Sequence, residues 1–485
     1  MDIPQGYKQT ELGIIPEDWE IVNLGSVAKI NGRIGFRGYT TADLVGVGQG
    51  AYTIGGKHIT NMVLDLHDAE YISWQKYYES PEIMVRKGDI VFAQRGTLGK
   101  SAFIVNDIGP ATINPSLVLI NKIKCDNEYL SYWLQCDKIV EYICSINSQT
   151  SIPMITQNQI EHIPVVLSRI KAEQQAIAEA LGDIDGLIAT LDKKIAKKRL
   201  IKQGAMSQLL TGKKRLPGFS DPWVEKKLGE IGYTYSGLTG KSKDDFGQGN
   251  AKYITFLNVL ANPILKENLF GSITIRENEQ QNKVQFGDLF FNTSSETPED
   301  VGTCAVLLSY HEELYLNSFC FGYRLTDDNV LGLYLAYYFR SRLGRQLMTS
   351  LAQGATRYNL SKELFNASRI ILPETKDEQI AIATMLNDMD KEIDDLEAQR
   401  DKYRLLKSGM MQKLLTGQIR LTKPLTNVVP LVPGDSAVRE IPVDAHIWAG
   451  HIVNRLWQSK GWGRTKLQKS LHLVGCYAQL DLGEE

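Results

Sequence analysis

Residues 173–216 read EQQAIAEALGDIDGLIATLDKKIAKKRLIKQGAMSQLLTGKKRL, and residues 378–421 read EQIAIATMLNDMDKEIDDLEAQRDKYRLLKSGMMQKLLTGQIRL. Aligned at an offset of 205 without gaps, they share 22 of 44 positions. A long internal repeat decides architecture before any local pattern does. In the first copy Ile177, Leu181, Ile184, Ile188, Leu191 and Ile195 recur at 4-3-4-3-4 spacing, and in the second Ile382, Leu386, Met389, Ile393 and Leu396 do the same. An apolar stripe of period 3.5 keeps one helix face on a partner, so both copies are expected to form coiled-coil helices. Pro164 and Pro373 precede them and Gly212 and Gly417 follow the Leu-Leu ends, as helix start and stop signals do. A helix of ~40 residues is ~60 Å long, longer than a domain of ~150 residues is wide, so the two helices are expected to pack on each other outside the globular parts.

Outward from the repeat, the preceding segments echo each other loosely. Pro16, Trp19, Leu24 and Gly25 correspond to Pro222, Trp223, Leu228 and Gly229, and the Gly88-Asp89 run to Gly287-Asp288. Asn114 and Asn317 each precede a strand-like run and then an aromatic helix. Strands are expected at 51–59, 89–93, 101–105, 117–120, 253–257, 289–292 and 304–308, separated by Gly, Asn and Asp turns. No βαβ alternation is present, so the fold class is α+β: two mixed domains separated by two long helices, in a pseudo-twofold repeat. The boundaries are 1–168 and 217–373 for the globular domains and 169–216 and 374–421 for the helices. A Pro-rich linker follows at 422–445, and a small helical extension at 446–485 has one possible reading as a helix-turn-helix and stops soon after a helix. The halves agree where they are helical and differ where they are globular.

The chain has 485 residues, with 54 Lys and Arg against 56 Asp and Glu. That balance excludes a uniformly basic nucleic-acid coat and an acidic disordered tail. By segment it is uneven: 14 basic and 18 acidic groups in 1–170, 15 and 18 in 217–374, but 10 and 5 in 171–216. Much of the excess lies in 193–199, near a helix C-terminus, where cations favour the helix dipole; a solvated face and a partner or DNA-backbone role are both open. No apolar run is long enough to span a membrane and no signal peptide opens the chain, so a cytoplasmic location is expected. Cys125, Cys136, Cys144, Cys304, Cys320 and Cys476 form no CxxC pair and read as reduced buried thiols. The seven histidines form no metal motif.

Catalytic signatures fail on inspection. Gln94–Arg95–Gly96–Thr97–Leu98–Gly99–Lys100–Ser101 ends like a phosphate-binding loop, but Gln94 stands where its first glycine belongs. Asn114-Pro115-Ser116-Leu117 falls short of the tetrapeptide that holds a flipped adenine and reads as a turn into a strand. No nucleophile elbow or nuclease motif is present.

Lys8-Gln9-Thr10-Glu11-Leu12-Gly13-Ile14-Ile15-Pro16-Glu17-Asp18-Trp19, the EQxAIA helix starts and the LLTG helix ends together resemble the specificity subunit of type I restriction–modification enzymes, over about residues 7–421. The resemblance implies a non-catalytic chain whose two target-recognition domains, held apart by two long antiparallel coiled-coil helices, each read one half of a split DNA sequence. It implies two methylation subunits that use S-adenosylmethionine and ATP-dependent restriction subunits as partners; ATP and Mg are then expected on those partners, with no cofactor or metal in this chain. The helix-end leucines Leu209, Leu210, Leu414 and Leu415 are assigned to partner docking. Base reading favours Arg, Lys, Asn and Gln, which selects Arg33, Arg37, Gln94, Arg95 and Lys100 in the first domain. In the second it selects Lys241, Lys243, Asn292, Thr293 and Arg357. With acidic domains, the partners are expected to supply much of the electrostatic grip on DNA. A coiled-coil adaptor that binds only protein and a self-contained methyltransferase or nuclease are the rival readings.

Overall fold

The computed structural model describes residues 3–60, 62–146 and 153–421; the linker and helical extension expected after 421 lie outside them. The chain divides into two compact units, one containing 3–186 and 404–421 of the described residues, the other Leu187–Tyr403. The repeated segments form two helices of 39 residues, Lys171–Leu209 and Lys376–Leu414, related by the same offset of 205. Each begins in one unit and ends in the other.

In the first unit a four-stranded antiparallel sheet has the order Ser101–Phe103, Ile90–Ala93, Leu117–Asn121, Lys29–Gly32. Its central strands are buried on both faces, which is why they read as continuous apolar runs rather than alternating ones. Successive residues point to opposite faces: Ile90, Phe92, Val118 and Ile120 pack with Tyr129 and Trp133 of the helix Asn127–Trp133. Val91, Ala93, Leu117 and Leu119 pack with Ile54 and Ile113 of a second sheet. That sheet has the order Ala111–Ile113, Gly50–Ile54, Glu70–Ser73, Leu44–Val45, and its first pair is parallel. A ladder of Trp19–Asn23 with Pro164–Ser168 leads into the long helix.

The second unit repeats the plan. Cys304–Val306, Leu289–Asn292, Cys320–Leu325 and Gly232–Ser236 form the first sheet in the same order. Leu314–Leu316 again pairs parallel with Phe246–Ile254, which is flanked by Phe270–Ile273. Trp223–Lys227 pairs with Arg369–Pro373 before the second long helix. The domains that differ in sequence therefore share the strand order of the first sheet and of three strands of the second, because burial of alternate faces constrains only polarity and size. Two expected strands are corrected. That at 51–59 ends at Ile54, before the tight helical turn Gly56–His58. After Ile254 the chain turns at Thr255, whose side chain caps the helix Phe256–Ala261, so Phe256 and Leu257 are helical.

The repeated motifs are explained within each unit. Glu173 is fully buried and accepts hydrogen bonds from Trp19 Nε1 (3.1 Å), Ser168 Oγ (2.5 Å) and Arg420 Nε (2.5 Å). Arg420 also pairs with Asp18 at 2.8 Å and lies over the Trp19 ring. The second copy keeps the ion pair and loses two donors. Arg215 reaches Glu378 through Nε (2.6 Å) and Nη2 (2.7 Å) and lies over Trp223. Trp223 Nε1, however, has no partner among the described residues, and Pro373 stands where the first copy has Ser168. Gln174 Oε1 accepts from Asp126 N and Gln379 Oε1 from Leu331 N, at the starts of the two aromatic helices. A second repeated contact joins Tyr132 Oη to Asp185 (2.8 Å) and Asp185 to Lys407 (2.7 Å). Its counterpart joins Tyr337 to Asp390 (2.8 Å) and Asp390 to Lys202, and in both the ammonium lies over the tyrosine ring.

Two sequence expectations are corrected here. The apolar stripe is not one helix–helix seam. Ile177 and Leu181 join the first domain's core, and Ile382 and Leu386 the second's. Only Leu191, Ile195, Ile393 and Leu396 form a cluster between the helices, while Ile184, Ile188 and Met389 are half-buried. Likewise Leu209 and Leu210 are core residues of the second unit and Leu414 and Leu415 of the first. Left-handed Gly212 and Gly417 end the helices there, so those leucines are covered by their own chain and offer no docking surface. In the basic run, Lys198 pairs with Glu392 (2.6 Å) and Arg199 with Glu397, while Lys193, Lys194 and Lys197 are exposed.

Candidate nucleic-acid interface

A concavity of the first domain gathers cations in a domain of net negative charge. It has a volume of about 440 Å³ and is lined in part by Lys57, His58, Arg95, Lys100, Asn114 and Ser116, with Glu70 as its carboxylate. Three turns build it. Asn114 Oδ1 accepts from Ser116 N (2.9 Å), fixing the turn into the strand Leu117–Asn121. Gln94 N and Arg95 N both donate to Ser116 O. Gly55 N donates to His58 Nδ1 (2.9 Å), holding the short turn that carries Lys57. A Cβ at Gly55 would sit 2.7 Å from Asn114 Nδ2, so the two turns meet only because that residue is glycine.

The second domain uses the same backbone bonds with other side chains. Thr293 N donates to Phe319 O (2.9 Å) as Gln94 N does to Ser116 O. Leu360 N donates to Thr293 O as Ile155 N does to Gln94 O, and Asn317 N to Ile254 O as Asn114 N does to Ile54 O. These bonds equate Gln94 with Thr293, Ser116 with Phe319 and Ile54 with Ile254. Counting on from the last pair, Lys57 corresponds to Leu257 and His58 to Asn258.

The predicted residues divide accordingly. Gln94, Arg95 and Lys100 come together: Gln94 Nε2 donates to Pro115 O, Arg95 Nε contacts Met154 Sδ, and Lys100 Nζ donates to Gly56 O. Among the described residues neither Arg95 nor Lys100 has a carboxylate partner. Thr293 and Arg357 are adjacent in the second domain, where exposed Arg357 reaches Ser294 Oγ at 3.3 Å. Lys243 is exposed on a separate turn, and Arg37 is half-buried against Glu82 at 3.3 Å.

Three assignments are corrected by geometry. Arg33 is buried, with Nε on Ile113 O (3.2 Å) and Nη2 on Thr112 Oγ1 (2.9 Å). Asn292 is fully buried and binds Asp300 O, Ser294 O and Thr303 N. Lys241 holds Thr274 O (2.7 Å) and Glu279 (2.5 Å). Their polar groups are already satisfied by the fold, so they shape loops instead of facing bases.

Sequence reasoning missed Lys57, His58 and Ser116, and in the second domain Leu257 and Phe319. The Asn114 and Asn317 echo was the available signal, since both turns end at the site. It also missed two supporting arginines. Arg340, half-buried against the helix Phe256–Ala261, donates to Val259 O (2.6 Å), Leu260 O, Asn262 O and Cys304 O; desolvation pulls the pKa of its guanidinium down to about 10. Arg345 holds Glu299 O and Gly302 O. Burial, and then the charge of Lys57, lowers the His58 pKa against the raising effect of Asp68, 3.5 Å away. The cysteines are not part of the site. Cys125, Cys136, Cys304 and Cys320 are buried, whereas Cys144 is exposed, contrary to expectation; Cys476 lies outside the described residues.

The two domains, met by geometry as a repeat, also match one known family twice. Residues 16–198 and 220–403 each match the type I restriction modification DNA specificity domain. The chain belongs to this specificity family. As a type I specificity subunit, it carries DNA target recognition in two domains of one plan. Among curated relatives it is similar to the putative type I restriction enzyme MjaX specificity subunit of Methanocaldococcus jannaschii, at 25% identity over 453 residues. That match covers 86% of this chain and 97% of the relative. The type I restriction enzyme MjaVIII specificity subunit of the same organism is 24% identical, covering 86% and 96%. In fold it is similar to a crystal structure of the S subunit of a type I restriction–modification system from M. genitalium. The TM-score is 0.52 at 14% identity, covering 85% of this chain and 98% of that one. A structure concerned with complex assembly and conformational transition of the type I system gives 0.53 at 16% identity, covering 84% and 99%. No described helix is long and apolar enough to cross a membrane.

Proposed function

We propose that each specificity domain reads one half of an asymmetric DNA sequence, and that the unread gap is set by the length of the paired helices. The observation that carries this reading is the contrast within the interface: one frame of backbone hydrogen bonds, with Lys57 and Ser116 in one copy and Leu257 and Phe319 in the other. Two equal frames with unequal side chains suit two half-sites of unequal sequence. The chain acts without catalytic groups of its own. It docks two copies of a methylation subunit, which suits a chain whose Glu–Arg and Tyr–Asp–Lys contacts occur twice, and restriction subunits join through that assembly. S-adenosylmethionine, ATP and Mg belong to those partners, and the partners contribute much of the charge that holds phosphate.

The test is domain exchange. Replacing residues 15–168 with the equivalent segment of another specificity subunit should alter one half of the methylated sequence, mapped by sequencing DNA from cells carrying the complex. An alteration of both halves, or of neither, overturns the modular reading. S-adenosylmethionine should bind the assembled complex and not the isolated chain; binding to the isolated chain would overturn the assignment of methyl transfer to a partner.

A further inference from the structure

The difference between the two interfaces has a chemical direction. In the first domain the turn tips carry Ser116 and the exposed Lys57, which pairs with the equally exposed Asp68 at 3.4 Å, beside Arg95 and Lys100. In the second, Leu257 is 73% exposed and Phe319 58% exposed, and the Phe319 ring meets Phe256 edge-on at 6.4 Å. Scattered exposed apolar residues need no explanation. Phe319 meets Phe256, the helix neighbour of Leu257, and both Leu257 and Phe319 occupy positions where the sister domain places a cation and a hydroxyl, on a fixed backbone. Asn317 Oδ1 accepts from Phe319 N (2.9 Å), Thr293 N donates to Phe319 O (2.9 Å), and Arg340 holds the end of the helix bearing Leu257. Arg357, joined to Ser294, supplies a cation at the margin.

Resting on the DNA reading above, we infer that the second domain selects its half-site by apolar contact of Leu257 and Phe319 with the C5-methyl group of thymine. The methyl is the apolar feature that base edges present in the major groove, and apolar side chains read it, whereas Lys and Arg donors favour the guanine O6 and N7 acceptors. The first domain, with Lys57, Arg95 and Lys100, takes the second kind of contact. The two half-sites thus differ in chemistry as well as in sequence.

The experiment uses the chain assembled with its methylation subunits and the target mapped from methylated DNA. Duplexes carrying uracil for thymine in one half at a time remove the methyl and leave base pairing intact. Uracil in the second domain's half should weaken competition binding about fourfold per contacted methyl, the transfer effect of one such group. Uracil in the other half should change binding less than twofold. A complex with Leu257→Ala and Phe319→Ala should bind thymine and uracil duplexes alike while still selecting the first half, which also shows that it is folded. The inference is overturned by a second half-site without thymine, by indifference of the native complex to uracil, or by uracil sensitivity that survives the double substitution. It is also overturned if 2-aminopurine fluorescence reports an unstacked base step there, since the side chains then act as wedges. A native complex with no sequence preference is a different failure, and sinks the DNA reading itself.

Discussion

The two specificity domains share a plan at the end that meets the long helices and part company at the end that carries the loops. Near the helices, each copy repeats the buried Glu–Arg pair and the Tyr–Asp–Lys contact at an offset of 205. At the loops the backbone bonds are kept, while Lys57 and Ser116 face Leu257 and Phe319 as equivalents. A buried charge must find its partner or destabilise the fold, so the helix end tolerates little variation. A turn tip held by main-chain bonds leaves its side chain free, and that freedom is where target choice can change without loss of the domain.

The largest test of the shared end is Glu173→Gln, which leaves Arg420 facing an uncharged amide in a buried site. A loss of about 3–5 kcal/mol is expected on chemical denaturation, as for other broken buried pairs. Glu378→Gln should cost less, because Glu173 also accepts from Trp19 and Ser168. Equal losses would break the claim that the first copy is the more tightly held.

Next in size is Arg340→Ala. Four carbonyls lose a donor, so about 3 kcal/mol should be lost from the second domain. Faster proteolysis within residues 256–306 and an unchanged first domain would confirm that the apolar loop end depends on it. Arg33→Ala should likewise destabilise the first domain, by about 2 kcal/mol, without changing its target. Arg95→Ala should do the reverse, and the methylated sequence separates the two.

The smallest effect is a pH dependence confined to one domain. The unfolded His58 titrates near 6.5 and its folded pKa is lower. Below pH 6.5 the unfolded state therefore binds more protons, and stability falls as pH drops towards the folded value. Its contribution is complete above 6.5. His58→Asn, which copies Asn258 of the second domain, should remove that part of the slope in thermal melts from pH 7 to 5. A slope unchanged by the substitution would assign the dependence elsewhere.

Which of these contacts could be foreseen depended on their range. Helix length was legible from Glu173 to Leu209 because the pattern is local and runs for many turns. Strands 289–292 and 117–120 were legible as apolar runs. The strand expected at 253–257 failed because Thr255 caps a helix, and a short side chain can serve either a turn or a strand. Among candidate residues, Gln94, Arg95 and Lys100, selected by their position after a strand, come together at one concavity. Arg33 and Asn292 satisfy the same rule, but fold inward onto carbonyls that lie far away in sequence.

The sequence by itself determined that this chain is duplicated and carries two long helices, because repeat identity and helical period are written along the chain, and its end motifs carried the resemblance to the specificity family. Only the tertiary structure decided that the apolar stripe is shared among two domain cores and one helix–helix cluster, and that the Leu-Leu ends are core. It alone equated Lys57 with Leu257 and Ser116 with Phe319. The physical reason is that a stripe states that a face will be buried, not by what. Equivalence between diverged domains survives in main-chain hydrogen bonds, which side-chain identity does not record.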